Sequence, residues 1–219
     1  MRPLSLLEAR ALGVLVEKSL TVPDSYPLSL NALTLGCNQK TARDPVIAAS
    51  EGEVQVAVDA LKGLSLAFES SGSRVARYEH NLGRALGLPS QSVALLATLM
   101  LRGPQTPAEL RTSAERLHRF ADVSAVEGFL EELAARPEDK GGALVVKLPR
   151  APGAREQRWA HLMCGPVDVS ALPVGTDSEA IVPASELAAL KARVAASEAE
   201  LTRLRGLVER LCSELDLRP

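Results

Sequence analysis

The sequence predicts a mainly helical α+β protein in which a small unit of three helices and a β-hairpin occurs twice, followed by a long C-terminal helix. Helical apolar spacing and capping boxes recur in the same order in both halves of residues 1–163. The strings RYEH at 77–80 and RWAH at 158–161 share an Arg-aromatic-x-His pattern, 81 positions apart. After Ser185, leucines and valines alternate at spacings of three and four.

The composition is typical of a globular protein of one or two domains. The 219 residues are 46% hydrophobic and 24% charged, with a formal net charge of −2. We expect no membrane segment, because no apolar run reaches the roughly 18 residues that a span requires, and we expect no signal peptide. The three cysteines are isolated in sequence, which favours a reducing, cytoplasmic location.

In the first unit, apolar spacing predicts a helix over residues 6–20, and prolines at 23 and 27 end it. A short second helix over 29–36 and a polar loop over 38–49 follow. Ser50 and Glu53 form a capping box that opens the third helix, with Val54, Val58 and Leu61 on one face. Residues 64–70 and 74–80 read as a hairpin around Ser-Gly-Ser at 71–73.

The second unit repeats this plan. A helix over 90–102 ends at Gly-Pro, a capping box at Thr106 and Glu109 opens the next helix, and a further box at Ser124 and Glu127 opens the third. Residues 143–149 and 158–163 are predicted strands. Helix, helix, helix, strand, turn, strand is the order of a winged helix, a helix-turn-helix with a hairpin appended. We therefore predict tandem winged-helix domains over 1–82 and 83–163.

Residues 164–184 contain prolines and glycines and are predicted to be a linker before a coiled-coil helix over 185–219. Attractive pairs at the flanking positions, Arg193 with Glu198 and Glu200 with Arg205, favour a parallel homodimer. The alternative is a helix that packs on its own domains through the same stripe. The predicted dimerisation residues are Leu187, Leu190, Val194, Leu201, Leu204, Val208, Leu211 and Leu215.

Several strings resemble the YceH-like family of bacterial proteins. They are YPLSLNAL at 26–33, CNQK at 37–40, LRGPQT at 101–106, ELR at 109–111, LPRAPG at 148–153 and HL at 161–162. The resemblance covers essentially the whole chain and implies tandem winged-helix domains, with no established activity and no catalytic residues to carry over. There are three mild departures from the family pattern: Gly36, where alanine is common, the Thr41-Ala42 pair, and Trp159.

The sequence does not favour an enzyme. It contains no phosphate-binding glycine loop, no nucleophile elbow, and no cysteine or histidine pair at metal-ligand spacing. The best-placed serines and acids are explained as helix caps. We expect His80 and His161 to close the hairpins against the helices, Cys37 to be a buried small side chain, and no metal or cofactor.

Charge argues against insertion of the third helices into DNA. Residues 51–62 and 124–136 each carry a net charge of −2, which a DNA-reading helix tolerates poorly. Cations lie instead in the loop and hairpins, and the predicted contact residues for nucleic acid or a partner are Gln39, Lys40, Arg43, Arg74, Lys147, Arg150 and Arg155. The alternative for the loop is an ordinary helix end, with Asn38 as a left-handed cap. Single-stranded binding is disfavoured because Phe68, Phe120, Phe129, Tyr78 and Trp159 are predicted core residues.

Two hypotheses follow for function. In the first, the protein is a dimeric DNA-binding transcriptional regulator that contacts the phosphate backbone of double-stranded DNA through the hairpins and residues 40–43. In the second, it is a protein-interaction adaptor whose acidic third helices and coiled coil meet other proteins. The fold favours the first by association, and the charge pattern favours the second.

Overall fold

Helices and small antiparallel sheets make up the computed structural model, which describes residues 2–70, 75–150 and 154–167. The protein is therefore of the mixed helix-and-sheet class. The predicted coiled coil over 185–219, Arg74 and most of the predicted linker lie outside the described residues.

The first half contains three helices and a three-stranded sheet. Its elements are α1 (Leu6–Thr21), β1 (Leu28–Ser29), α2 (Leu30–Cys37), α3 (Glu51–Gly63), β2 (Ala67–Ser70) and β3 (Arg77–His80). The strands are antiparallel in the order β1-β3-β2, and Tyr78 of β3 lies opposite both Leu28 and Glu69. The short strand β1 was not predicted, because two residues beside a proline give too little pattern to read.

The second half follows the same order. Its elements are α4 (Leu82–Leu86), α5 (Ser90–Arg102), α6 (Pro107–Ser113), α7 (Val123–Ala134), β4 (Val145–Lys147) and β5 (Trp159–His161). An isolated bridge between Gln105 and Trp159 takes the place that β1 has in the first half. The short helix α4 was not predicted; it ends at Gly87, whose φ of 62° is the left-handed conformation that glycine adopts freely.

Capping residues fix the starts of most of these helices. The predicted boxes at Ser50 and Glu53 and at Thr106 and Glu109 are present, with both reciprocal hydrogen bonds. The box predicted at Ser124 and Glu127 is wrong. Helix α7 begins two residues earlier than that box requires, because the Asp122 carboxylate accepts a hydrogen bond from the Ala125 amide at 2.8 Å and serves as the N-cap.

The core is continuous across the two halves. Helices α1 and α5 pack against each other, and buried side chains from both halves form one hydrophobic cluster. A Cβ built on Gly13 of α1 would lie 3.0 Å from Leu101 of α5, so the glycine permits this close approach. The division into domains over 1–82 and 83–163 stays a prediction.

Most of the predicted core aromatics are buried, with one exception. Tyr78, Phe120 and Trp159 are at most 5% exposed, and Phe129 is partly buried against the core, with its ring edge-on to Phe120. Phe68 is 42% exposed, contrary to the prediction. It follows buried Ala67 in strand β2, and the alternation of side chains along a strand turns it outward.

Candidate partner-binding surface

The predicted contact residue Arg43 is buried in the protein rather than exposed. Its side chain is 0% exposed, and its two terminal nitrogens donate to the Glu17 carboxylate on α1 at 3.1 and 2.6 Å. Its Nε donates to the carbonyl of Gly36 at 3.1 Å. Bidentate pairing of this kind satisfies both charges inside the protein. Arg43 therefore has no free face for a phosphate, and we leave it out of the contact surface.

A second buried guanidinium also fastens this loop to α1. Arg10 of α1 is 0% exposed and donates to the carbonyls of Cys37 and Pro45, at 3.3 and 2.7 Å. Burial, together with the positive charge of Arg43, lowers the pKa of Arg10. The two arginines thus bind backbone carbonyls on both sides of the loop and fasten it to α1.

The Glu17 carboxylate stays ionised in this setting. Burial alone would raise its pKa, but the hydrogen bonds and the charge of Arg43 outweigh burial and bring the pKa below its ordinary value. Lys18 lies 3.3 Å from the same carboxylate and adds to this effect.

Asparagine and glutamine side chains add hydrogen bonds within the loop. The Asn38 side chain exchanges two hydrogen bonds with the Ala49 backbone, each 2.8 Å long. Its φ of −87° is not left-handed, so the predicted left-handed cap is wrong; the side-chain bonds to Ala49 hold the residue instead. Gln39 accepts from Lys18 and Arg43 at 3.5 and 3.4 Å. Among the three predicted contact residues of the loop, Gln39, Lys40 and Arg43, only Lys40 is exposed.

The predicted hairpin cations of the second half are partly available. Lys147, Arg150 and Arg155 are exposed, although the Lys147 ammonium also lies 5.5 Å from the ring centre of Trp159, within range of a cation–π interaction. The neighbouring Arg158 forms a bidentate pair with Glu109, both distances being 3.0 Å.

A polar groove of about 710 Å³ lies where residues 42–44 approach the end of α5 and helix α6. Three of its charged lining residues are already paired, Arg43 with Glu17 and Arg158 with Glu109. The groove is therefore lined in good part by groups that satisfy one another.

The outward faces of the two predicted third helices, α3 and α7, are acidic. On α7 the exposed residues include Glu127, Gly128, Glu131 and Glu132, and the helix contains no lysine or arginine. On α3 the basic residue Lys62 is bound by Asp59 at 3.4 Å and Glu69 at 2.6 Å.

Val56 is the apolar feature of this surface that the sequence analysis did not single out. It is 70% exposed, on the side of α3 away from buried Val54 and Val58. Its position two residues from each of those core residues was the available signal, because residues two apart do not share a helix face. An apolar groove of about 360 Å³ runs beside it, lined by residues of α1 and α3.

Cys37 is buried, and His80 and His161 are half-buried. Burial raises the pKa of Cys37 to about 12 and lowers that of His161 to about 4, so neither is an activated nucleophile or base at neutral pH. His80 Nε2 lies 3.2 Å from the Ser19 hydroxyl of α1, as expected for a ring that closes the hairpin against a helix. Within the described residues, no three His, Cys, Asp or Glu side chains are grouped to hold a metal ion.

The fold and these surfaces define a mixed helix-and-sheet protein whose buried charges hold loops in place. Residues 4–154 match the profile of the family described as "Protein of unknown function, DUF480". A UPF0502 protein of Burkholderia pseudomallei is 62% identical over 217 residues, covering 99% of this chain and 91% of that protein. UPF0502 proteins of Leptothrix cholodnii and an Acidovorax species are 60% and 58% identical, over 98% of this chain and 96% and 95% of their own.

The chain belongs to this DUF480 family, which confirms the family resemblance seen in the sequence. Neither the family description nor the names of these relatives indicates an enzyme. Across the described residues, no helix combines the length and the apolar character that crossing a membrane demands.

Proposed function

We propose that this protein is a non-enzymatic binding protein of two winged-helix units, whose third helices α3 and α7 contact a protein partner. The order of elements supports the winged-helix assignment, because each half, apart from the short helix α4, runs helix, strand or bridge, helix, helix, strand, strand. The observation that carries the partner class is the outward charge of α3 and α7. A DNA-reading helix presents donors and cations to the groove and its phosphates, whereas these helices present carboxylates.

Exposed apolar side chains on helix α3 and on strand β2 support a protein partner. Val56 is 70% exposed and Phe68 of strand β2 is 42% exposed. Neither side chain is buried in the core, and covering an exposed apolar side chain with a partner is favourable because it removes apolar surface from water. A polar rim around an apolar centre is the usual anatomy of such an interface.

Site-specific photo-crosslinking tests this proposal. The full chain, with a photoreactive amino acid in place of Val56 or of Gly128, would be expressed in Burkholderia thailandensis, which carries a relative 62% identical to it. We expect protein adducts from both positions. Matched replacements at exposed Leu20 of α1 and exposed Val46 of the loop serve as controls. Equal adducts at all four positions, or none at the third helices, would contradict the proposal.

DNA binding through the hairpins is the second candidate, and one observation favours it. Lys147, Arg150 and Arg155 are exposed together around the second hairpin, and Lys40 is exposed on the loop. A dimer would double these contacts. A gel-shift titration with duplex DNA at about 50 mM and 200 mM salt tests it, since phosphate contacts give a steep loss of affinity between these concentrations. Absence of binding at the lower concentration would remove this candidate.

A further inference from the structure

The groove between helices α1 and α3 has apolar walls and an open end. Leu7 of α1 faces Gly52, Val56 and Ala57 of α3 across it, and its volume is about 360 Å³. A Cβ added at Gly52 would meet no atom within 4 Å, so this end of the groove is open to an approaching chain. Leu6, next to the groove on α1, is 51% exposed. These residues form an apolar strip at the surface.

Helix α3 beside this strip carries more carboxylates than cations. Glu53 lines the groove, and Glu51 and Asp59 are exposed elsewhere on α3, where Glu51 accepts a hydrogen bond from Asn31 and Asp59 pairs with Lys62. Glu8, also at the groove, is already paired with Arg2 at 2.8 Å, and Lys62 lies on the far side between Asp59 and Glu69. Glu53 stays ionised because its hydrogen bonds with Ser50 lower its pKa. A partner that covers the strip must bring cations to this rim.

We infer that this groove binds an amphipathic helix of the partner protein, with an apolar stripe that covers Val56 and with Lys or Arg residues that meet the carboxylates of α3. The inference rests on the proposed function and specifies its partner. The groove runs between two helices, and a third helix packs into such a groove with its i, i+3, i+4 and i+7 residues as anchors. The same carboxylates repel nucleic acid phosphates, so charge complementarity selects a basic helix.

A pair of synthetic helical peptides tests this inference on the full chain. The probe has about 18 residues, long enough to form a helix, with leucines at i, i+3, i+4 and i+7 and lysines elsewhere. The comparison peptide keeps the leucines and has glutamates in place of the lysines. We expect the Leu/Lys peptide to bind, with the largest amide chemical-shift changes at Leu7, Gly52, Val56 and Ala57, and the Leu/Glu peptide to bind at least about tenfold more weakly.

Two valine variants locate the site of binding. Val56→Lys removes the apolar anchor and adds a repelling charge, so we expect at least about a tenfold rise in Kd for the Leu/Lys peptide. Val46→Lys, at a valine 56% exposed on the loop, is the matched control and should change Kd by less than about twofold. Equal effects of the two variants, equal binding of the two peptides, or shift changes confined to other surfaces would overturn the inference.

The two experiments separate this inference from the function on which it rests. If crosslinks form at Val56 and Gly128 but the Leu/Lys peptide fails these criteria, the partner-binding function stands and the basic-helix assignment is wrong. If the crosslinks fail as well, the partner-binding function itself is contradicted.

Discussion

The buried pair of Arg43 and Glu17 shows what a single residue does for the loop between α2 and α3. Arg43 lies 26 positions from Glu17 in sequence, and its side chain reaches back across the loop to α1. Burying a charge is costly unless it is paired and hydrogen-bonded. Here the guanidinium also donates to the carbonyls of Gly36 and Ala42, so it is hydrogen-bonded to the loop backbone as well as to the Glu17 carboxylate. The pair therefore sets the loop conformation rather than presenting a charge to a partner.

Removing the carboxylate should destabilise the protein strongly. Glu17→Ala leaves the Arg43 charge buried without a counter-ion, and breaking a buried pair costs about 3–5 kcal/mol. We expect the lower end, about 3 kcal/mol, because the Glu17 side chain is 15% exposed and keeps some contact with water. Urea unfolding measures this change. The Glu17→Ala, Arg43→Ala double variant should lose less than the sum of the single losses; simple additivity would contradict the coupling.

The same pair predicts a pH dependence of stability. The pKa of Glu17 in the folded protein lies below its ordinary value of 4.5. Its stabilising contribution is therefore fully present above pH 4.5 and is lost as the pH falls through the lower, folded-state pKa. The difference in unfolding free energy between the wild type and Glu17→Ala should shrink as the pH is lowered from neutral through this window. A difference that stays constant with pH would show that Glu17 does not act through its charge.

At the scale of the secondary-structure elements, the start of α7 is set by Asp122. Asp122→Ala removes the side-chain acceptor for the Ala125 amide and should lower the unfolding free energy by about 1 kcal/mol, the usual cost of losing an N-cap. Ser124→Ala, two residues inside the start of the helix, is the matched control and should change stability little. If Ser124→Ala lowers stability more than Asp122→Ala does, the helix is capped by Ser124 and Glu127 rather than by Asp122. Thermal or urea unfolding of the two variants decides this.

Two helix glycines should respond to alanine in opposite ways. Gly128 of α7 has open space above it, so Gly128→Ala should stabilise by up to about 1 kcal/mol through helix propensity. At Gly36 of α2 a Cβ would lie 2.5 Å from the Val14 side chain, a fully buried β-branched residue with little rotamer freedom. Gly36→Ala should therefore destabilise by about 1–3 kcal/mol, and adding Val14→Ala should recover part of that loss. Stability changes of the same sign at both glycines would contradict this packing.

Elements with strong local signals could be predicted from the sequence, and those fixed by distant contacts could not. Helix α5 matches its predicted bounds because an unbroken apolar pattern ends at Gly-Pro. The role of Arg43 could not be predicted, because its partner Glu17 lies on another helix and no local pattern joins them. The short helix α4 carries only one buried residue, Leu82, and so gives no periodicity. In the candidate site, the acidic character of α3 and α7 was predicted from charge alone, whereas the exposure of Val56 and Phe68 needed the tertiary structure.

For the whole molecule, the exposed carboxylates of α3 and α7 and the exposed cations of the second hairpin lie on different elements. Lys147, Arg150 and Arg155 belong to the second hairpin and its connection. The two proposed classes of partner would therefore meet different surfaces, and variants on one surface need not affect the other. This separation lets the crosslinking and gel-shift experiments give independent answers.

The last prediction concerns assembly and depends on the heptad pattern of residues 185–219 alone. Leu187, Leu201 and Leu215 recur at intervals of 14 residues within a stripe of alternating three- and four-residue spacings, the pattern that drives helices to associate. We expect the full chain to be a dimer and a chain ending at residue 184 to be a monomer in light scattering. A full chain with Leu201→Glu and Leu204→Glu should also be monomeric, because charges in the seam oppose association, whereas Glu200→Gln at a flanking position should remain dimeric. A full chain that is monomeric from the outset, or an unchanged mass after the deletion, would show that the stripe serves packing within one chain instead.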